Sequence, residues 1–389
     1  MKFKAMKFKL LSAACVALLA AACAQTGLEQ GYAAIQRGDY AAAFQKFEAA
    51  AEAGDAAAQS GLGTLYKDGR GVAADDAEAV KWYRKAAGQG YAEAQNSLGV
   101  MYAEGRGVAQ DLGEAAKWYR RAADQGNARG QFNVGVAYAA GAGVPRDDAE
   151  AVRWFRKAAD QGLPDAQYNM GMACVNGRGV PRDVAAGIAW YRKAAAQGYA
   201  QAESDLGISY ANGLGVSRDA GIALQWFRKA AAHGDAVAQN NLGAAYMLGQ
   251  GVPKDAAEGA RWYRRAAEQG LAEAQFNLGS VYAMGTGVGR DMAEAAAWYR
   301  RASEQRHVRA QVNLGIMYAG GWGVAKDEAE AAAWWRRAAE AGDADAQYLL
   351  GRAYAGGSGV ARNDAEAAAW YRRSAEQGNR DAQAALQRR

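Results

Sequence analysis

Cysteine is scarce in this 389-residue chain: there are three, and Cys15 and Cys23 both lie close to the N-terminus. Only Cys174 stands in the body, so no intrachain disulfide framework can form there. Histidine is rarer still. His233 and His307 are far apart in the sequence and lack the neighbouring ligands that a zinc site requires, so no metal is expected. Past Ala21 no stretch is apolar enough to cross a bilayer. Surplus charge is missing as well. The total is 46 Lys+Arg against 41 Asp+Glu, but Lys2, Lys4, Lys7 and Lys9 all lie at the start. Without them 42 basic residues face 41 acidic ones, a balance that leaves no basic stripe for nucleic acid.

What is present at the N-terminus reads as an export signal over residues 1–24, with those lysines preceding an apolar run from Leu10 to Ala21. Two cleavage readings compete there. Leu19-Ala20-Ala21-Ala22-Cys23 is similar to a bacterial lipobox, which would lipidate Cys23, while Ala22-Cys23-Ala24 fits ordinary cleavage before Gln25. Either reading places the mature chain in an oxidising compartment, the periplasm, with an outer-membrane lipid anchor in the first case.

The body is periodic. Trp82, Trp118, Trp154, Trp190, Trp226, Trp262, Trp298, Trp334 and Trp370 are spaced by 36 residues without an insertion, and a glycine series from Gly63 to Gly351 keeps the same step. One structural unit is therefore stacked nine times over residues 56–379. Residues 25–55 stay in phase but lack the long loop, which predicts an N-terminal capping helix pair; residues 380–389 look like a partial further repeat.

Within the unit 92–127, Ala94, Leu98, Met101 and Tyr102 recur at helical spacing and predict a first helix to about Glu104. Gly105-Arg106-Gly107-Val108 breaks it. Asp111 with Glu114 three residues on has the spacing of a capping box, found in seven of the nine units. Ala115, Trp118, Tyr119 and Ala122 give the second helix a buried face, and Gly126 a left-handed C-cap that is Arg306 in one unit. Gly99 inside the first helix costs about 1 kcal/mol relative to Ala. Close approach of the second helix, with the ring of Trp118 or Tyr102 admitted at that point, is the expected compensation. The Arg120-Arg121 pair is expected on a solvated outer face.

Ala94-Gln95, Leu98-Gly99, Tyr102, Gly105-x-Gly107-Val108, Asp111, Glu114-Ala115, Trp118-Tyr119-Arg120 and Ala122-Ala123 resemble the Sel1-like repeat, a relative of the tetratricopeptide repeat. The resemblance implies an all-α fold, an α-solenoid winding as a right-handed superhelix with a concave groove, and use as a protein-binding scaffold. Some members have been linked to β-lactam hydrolysis or penicillin binding. Here no serine is followed three residues later by lysine, and the Gly-x-Gly loops never continue into Gly-Lys-Ser or Gly-Lys-Thr, so neither that enzyme nor a phosphate cradle is expected. No catalytic residue and no cofactor is assigned.

The repeats also serve as an internal alignment in which fixed positions build the scaffold and varied ones are free to bind. On the first helices, the side opposite Ala94, Leu98 and Tyr102 carries Phe132, Val136, Tyr168, Met172, Val175, Phe276, Ile316 and Tyr348, read as a groove for an apolar or helical partner segment, with packing between repeats as the alternative. In the loops the one large aromatic is Trp322, also read as a partner contact. Cys174 stands where other units have Tyr and is expected to be a small buried residue. The function expected is a non-enzymatic envelope scaffold or adaptor; the alternatives are a secreted or surface-exposed factor binding a host protein and, third, a hydrolase. Partners are proteins of envelope assembly, export or regulation, with any membrane association through the lipid anchor alone.

Overall fold

The computed structural model describes residues 27–388, so the segment expected to be an export signal and the expected lipidation site Cys23 lie outside the described residues. All regular structure among them is helical, and it falls into two compact units, residues 27–194 and 195–388.

The first unit begins with α1 (27–36) and α2 (Tyr40–Glu52), a helix pair whose Phe47 is fully buried and occupies the space left open by Gly31 and Gly61. Helix pairs of the repeats follow: α3 (Ala56–Asp68) with α4 (Asp76–Gly88), α5 (Ala92–Glu104) with α6 (Leu112–Asp124), α7 (Ala128–Ala140) with α8 (Asp148–Asp160), and α9 (Pro164–Asn176) with α10 (Val184–Ala195). The second unit holds α11 (Ala200–Asn212) and α12 (Ala220–Ala232), α13 (Ala236–Leu248) and α14 (Ala256–Glu268), α15 (Ala272–Met284) and α16 (Met292–Glu304), α17 (Val308–Gly320) and α18 (Glu328–Glu340), α19 (Ala344–Gly356) and α20 (Asp364–Glu376), then α21 (Arg380–Gln387).

Local chemistry explains each boundary. In α5, Ala94, Leu98 and Met101 form one fully buried stripe, and Gly105 ends the helix at φ 67°, where only glycine is unstrained, donating its N–H to the Met101 carbonyl. Asp111 then caps α6 by accepting from the Glu114 N–H at 2.9 Å. The reciprocal arm of the capping box is not used. The Asp111 N–H already donates to the Tyr102 carbonyl at 3.0 Å, and Glu114 instead binds Lys117 at 2.6 Å.

The compensation for Gly99 differs from the sequence expectation. It is Tyr119, not Trp118 or Tyr102, that seats on it: a Cβ at Gly99 would lie 2.6 Å from Tyr119 Cδ1. The same aromatic position covers Gly135 with Phe155, Gly279 with Tyr299 and Gly351 with Tyr371. Trp118 packs instead on the core made by α4 and α5, while Arg84 of α4 donates to the Tyr102 hydroxyl at 3.0 Å. The Arg120-Arg121 pair is exposed, as expected, and also covers aromatic rings. The Arg121 guanidinium lies 4.3 Å above the Trp118 ring, and Arg120 pairs with Asp124 at 2.8 Å while reaching the Trp154 ring at 4.8 Å. Such cation lids recur, with Lys85 over Trp82 and Arg301 over Trp298, so these tryptophans are closed against ligand stacking.

Three devices fix one repeat on the next. Gln95, buried in α5, donates to the Ala87 carbonyl at 3.2 Å and accepts from Gln125 at 2.7 Å. Gln131 likewise accepts from Gln161, and in the second unit Gln239 from Gln269 and Gln275 from Gln305. Two rungs differ: at one, His233 Nδ1 lies 2.8 Å from Glu203 Oε2, the carboxylate being almost wholly buried, and at another Ala341 stands thirty residues after Gln311 and can form none. The second loop glycine is the next device, since a Cβ on Gly107 would collide with the Asp76 carbonyl at the start of α4, and Gly143, Gly251, Gly287, Gly323 and Gly359 press on the equivalent carbonyls. Finally, Arg106 reaches back from the loop to Asp76 at 2.8 Å.

Candidate functional site

Because every unit repeats one backbone, residues spaced by multiples of 36 occupy equivalent places, and the structure puts an open cleft at three of them. In the first unit a cleft of ≈ 330 Å³ lies between α7, α8 and α9, walled by Val136, Ala139 and Met172 with Phe155 at its floor. In the second unit the equivalent clefts are one of ≈ 300 Å³ with Ile208 and Phe227, and one of ≈ 730 Å³ with Ile316 and Trp335. The floor in each case is the aromatic that rests on the first-helix glycine, so the scaffold contact and the cleft are built by one residue.

The widest cleft owes its size to small residues. Gly320 and Gly356 end α17 and α19, leaving room beside Trp322, Leu349 and Arg352. Trp322 is 53% exposed, and its ring lies over Gly320, where a Cβ would come within 2.8 Å of Cε2. Trp335 donates its indole N–H to the Val312 carbonyl at 3.3 Å, which holds the floor in place. Glu328, paired with Lys326 at 2.9 Å, and Arg352 bring opposite charges to this mainly apolar space.

Of the residues singled out in the sequence, Val136, Met172, Ile316 and Trp322 line these clefts. The aromatics have a different place. Phe132 packs against Phe155 at 5.7 Å between ring centres, Tyr168 on Tyr191 at 5.5 Å and Tyr348 on Tyr371 at 5.8 Å, each half-buried against its own second helix. Phe276 is buried outright, held between Tyr299 at 5.7 Å and the His307 ring at 4.8 Å, so it presents no solvent-facing surface. The physical reason is that the first and second helices approach closely at the glycine, and a ring one turn earlier falls onto the same aromatic. Val175 is half-buried, its side chain close to Gly187 of α10. Leu349 and Arg352 belong to the cleft walls and were not singled out by sequence; Asp148 and Arg178, also in a cleft wall, pair at 3.2 Å. The hydrogen bonds from Arg146 and Arg178 hold the Asp148 carboxyl below its usual range.

Other titratable groups fit structural roles. Burial pushes the Cys174 thiol up, away from the reactive thiolate. Each histidine has a glutamate partner: His233 meets Glu203, and His307 lies 3.0 Å from Glu273 while its Nδ1 accepts from the Ala310 N–H at 3.2 Å and so caps α17. Among the described residues no group of three His, Cys, Asp or Glu could hold a metal ion, and no helix is long and apolar enough to cross a membrane.

Two-helix units in constant register, with clefts on the side of the first helices, define a helical-repeat solenoid of the tetratricopeptide-like class. The chain belongs to the Sel1-repeat family, whose model matches nine consecutive repeats covering residues 56–91, 92–127, 128–163, 164–199, 200–235, 236–271, 272–307, 308–343 and 344–379. Proteins of Sel1 repeats generally serve as protein-interaction scaffolds, and this all-helical fold is typically non-catalytic. Among solved structures, the chain is 37% identical, with a TM-score of 0.64, to a protective antigen present in uropathogenic Escherichia coli strains displaying an SLR fold, over 88% of this chain and 81% of that one. It is 34% identical, with a TM-score of 0.60, to a Sel1 repeat protein from Oxalobacter formigenes, over 82% of this chain and 98% of that one. No curated protein matches the chain.

Proposed function

We propose that this protein is a non-catalytic scaffold of the bacterial cell envelope, exported through its N-terminal signal and holding segments of partner proteins in the first-helix clefts. The observation that supports the reading is the recurrence of an open, aromatic-floored cleft at register-equivalent positions, with walls that differ: Val136 and Met172 in one, Ile208 and Ala244 in another, Ile316 and Arg352 in the third. A fixed frame with varied walls suits several short apolar segments of a partner.

The test is cross-linking with mass spectrometry in producing cells, comparing wild type with Val136→Asp and Ile316→Asp. Both side chains sit at cleft openings, so partner cross-links should fall while the melting temperature changes little; cross-links unchanged in both variants would overturn the reading. Palmitate labelling and globomycin sensitivity decide the anchor: a labelled chain supports lipidated Cys23, and an unlabelled chain beginning at Gln25 refutes it.

A second reading, a surface-exposed factor that meets host proteins, is favoured by one finding, the description of the Escherichia coli relative as a protective antigen. Antibody labelling of intact cells separates the two, since a periplasmic chain stays unlabelled until the outer membrane is opened.

A further inference from the structure

The most exposed large apolar side chains among the described residues are Met284 at 67%, Leu248 at 65% and Trp322 at 53%, with Leu214 close behind at 49%. They are not scattered. Leu248 and Met284 end α13 and α15, while Leu214 and Trp322 follow the glycines that cap α11 and α17. Four successive repeats of the second unit thus each present one large apolar residue at the same tip. The tips are held side by side, because Gly251, Gly287 and Gly323 press each loop on the second helix of the repeat before. In the first unit the equivalent tip positions carry Asp68 and Arg70, Glu104 and Arg106, Ala140 and Ala142, and Asn176 and Arg178, none of them a large apolar residue.

A row of cations runs along the apolar edge. Each of these loops places a basic residue just before the second helix: Arg218, Lys254, Arg290 and Lys326, all exposed. The Cβ of Lys254 packs beside Gly249 and that of Arg290 beside Gly285, next to the apolar tip residues. Among the described residues Arg218, Lys254 and Arg290 form no ion pair; only Lys326 does, with Glu328. The acids that follow them, Asp219, Asp255, Asp291 and Asp327, turn their carboxylates to the helix N-termini, where backbone N–H groups hold them. The positive ends of the helices offset these acids in part, whereas Arg218, Lys254 and Arg290 have no acidic partner among the described residues.

We infer that this edge of the second unit, Leu214, Leu248, Met284 and Trp322 with its flanking cations, is a docking surface for an anionic lipid membrane. Exposed Leu, Met and Trp side chains enter the boundary between headgroups and acyl chains, while unpaired Lys and Arg beside them meet lipid phosphates. A lipid surface satisfies both rows at once and needs no directional hydrogen bonds, of which these tips offer few. The inference is separable from the scaffold reading at Leu248 and Met284, which line none of the three clefts, whereas Trp322 and Arg218 each also line one.

The experiment is co-sedimentation of the full chain, as processed by producing cells, with vesicles of phosphatidylcholine and with vesicles of equal parts phosphatidylcholine and phosphatidylglycerol. The double variant Lys254→Gln/Arg290→Gln should bind the anionic vesicles roughly twentyfold more weakly, at roughly fivefold per cation, with little change on neutral ones. Leu248→Ser/Met284→Ser should lose on the order of tenfold on both. Brominated lipid should quench wild-type tryptophan fluorescence, and Trp322→Phe should remove that quenching, which separates this edge from anything the N-terminus contributes. Binding unaffected by either double variant, absence of quenching, or cross-links from Lys254 to a protein in lipid-free extract would overturn the inference. Loss of partner cross-links at Ile316→Asp with membrane binding intact would leave it standing and bear only on the clefts.

Discussion

The ring of Tyr119 lies so close to Gly99 that a β-carbon there would stand 2.6 Å from Cδ1 and 3.2 Å from the Ala115 carbonyl. Gly99→Ala should therefore destabilise the protein by about 1–3 kcal/mol, the overpacking penalty exceeding the gain of up to about 1 kcal/mol in helix propensity. Gly88, at the end of α4, is the control: nothing lies within 4 Å of its added carbon, so Gly88→Ala should be neutral to mildly stabilising. Urea unfolding of the two variants checks both signs.

Arg306 is the one residue other than glycine with positive φ among those described, at 65°. The left-handed conformation costs a residue with a side chain about 1 kcal/mol, so Arg306→Gly should raise stability by about that much. A thermal melt that drops would mean that Arg306 contributes contacts worth more than the strain.

The glutamine rungs should be strongly coupled. Gln95→Leu removes one of the donors to the Ala87 carbonyl, which keeps its bond from the Gly90 N–H, and takes away the acceptor of the Gln125 side chain, at a cost of about 1–3 kcal/mol. Replacing Glu203 and His233 together by Gln restores the ordinary rung, and the double variant should be more stable than either single one. A double-mutant cycle with no coupling would refute a direct rung.

Tyr263 supplies the pH prediction. Burial, with Glu273 adding to it, raises its hydroxyl from 10.0 to about 12. A raised folded-state value favours the neutral form, so its stabilising effect is whole below about pH 10 and is lost as pH rises toward 12. Tyr263→Phe, matching Phe155 and Phe227 at the same position, should melt like wild type at pH 7 and lose less stability between pH 10 and 12.

Much of this was legible in the residues. The 36-residue step, Asp111 and Gly105 set the helix pairs, because caps and glycine breaks act locally and recur. The partner of Gly99 was not, since Trp118 and Tyr119 are adjacent on one helix and only the crossing angle decides which ring faces it. The same angle turned Phe276 inward, a shift that periodicity alone does not register. The glutamine ladder had a signal: Gln95 and Gln125, thirty residues apart, recur together as Gln131 with Gln161 and Gln275 with Gln305. Two polar positions that recur as a pair point to a shared bond.

Gly107 bears against the Asp76 carbonyl with no room for even a methyl group, and it does so from a loop of fixed length between two caps. A single inserted residue would lift that loop from its seat and open a seam between neighbours. The chain is thereby quantised: it can lengthen or shorten by whole turns of the repeat but tolerates no fraction of one, which is why thirty-six residues separate Trp82 from Trp118 and Trp334 from Trp370 alike. Variation is left to the faces and tips, where residues change without altering the count.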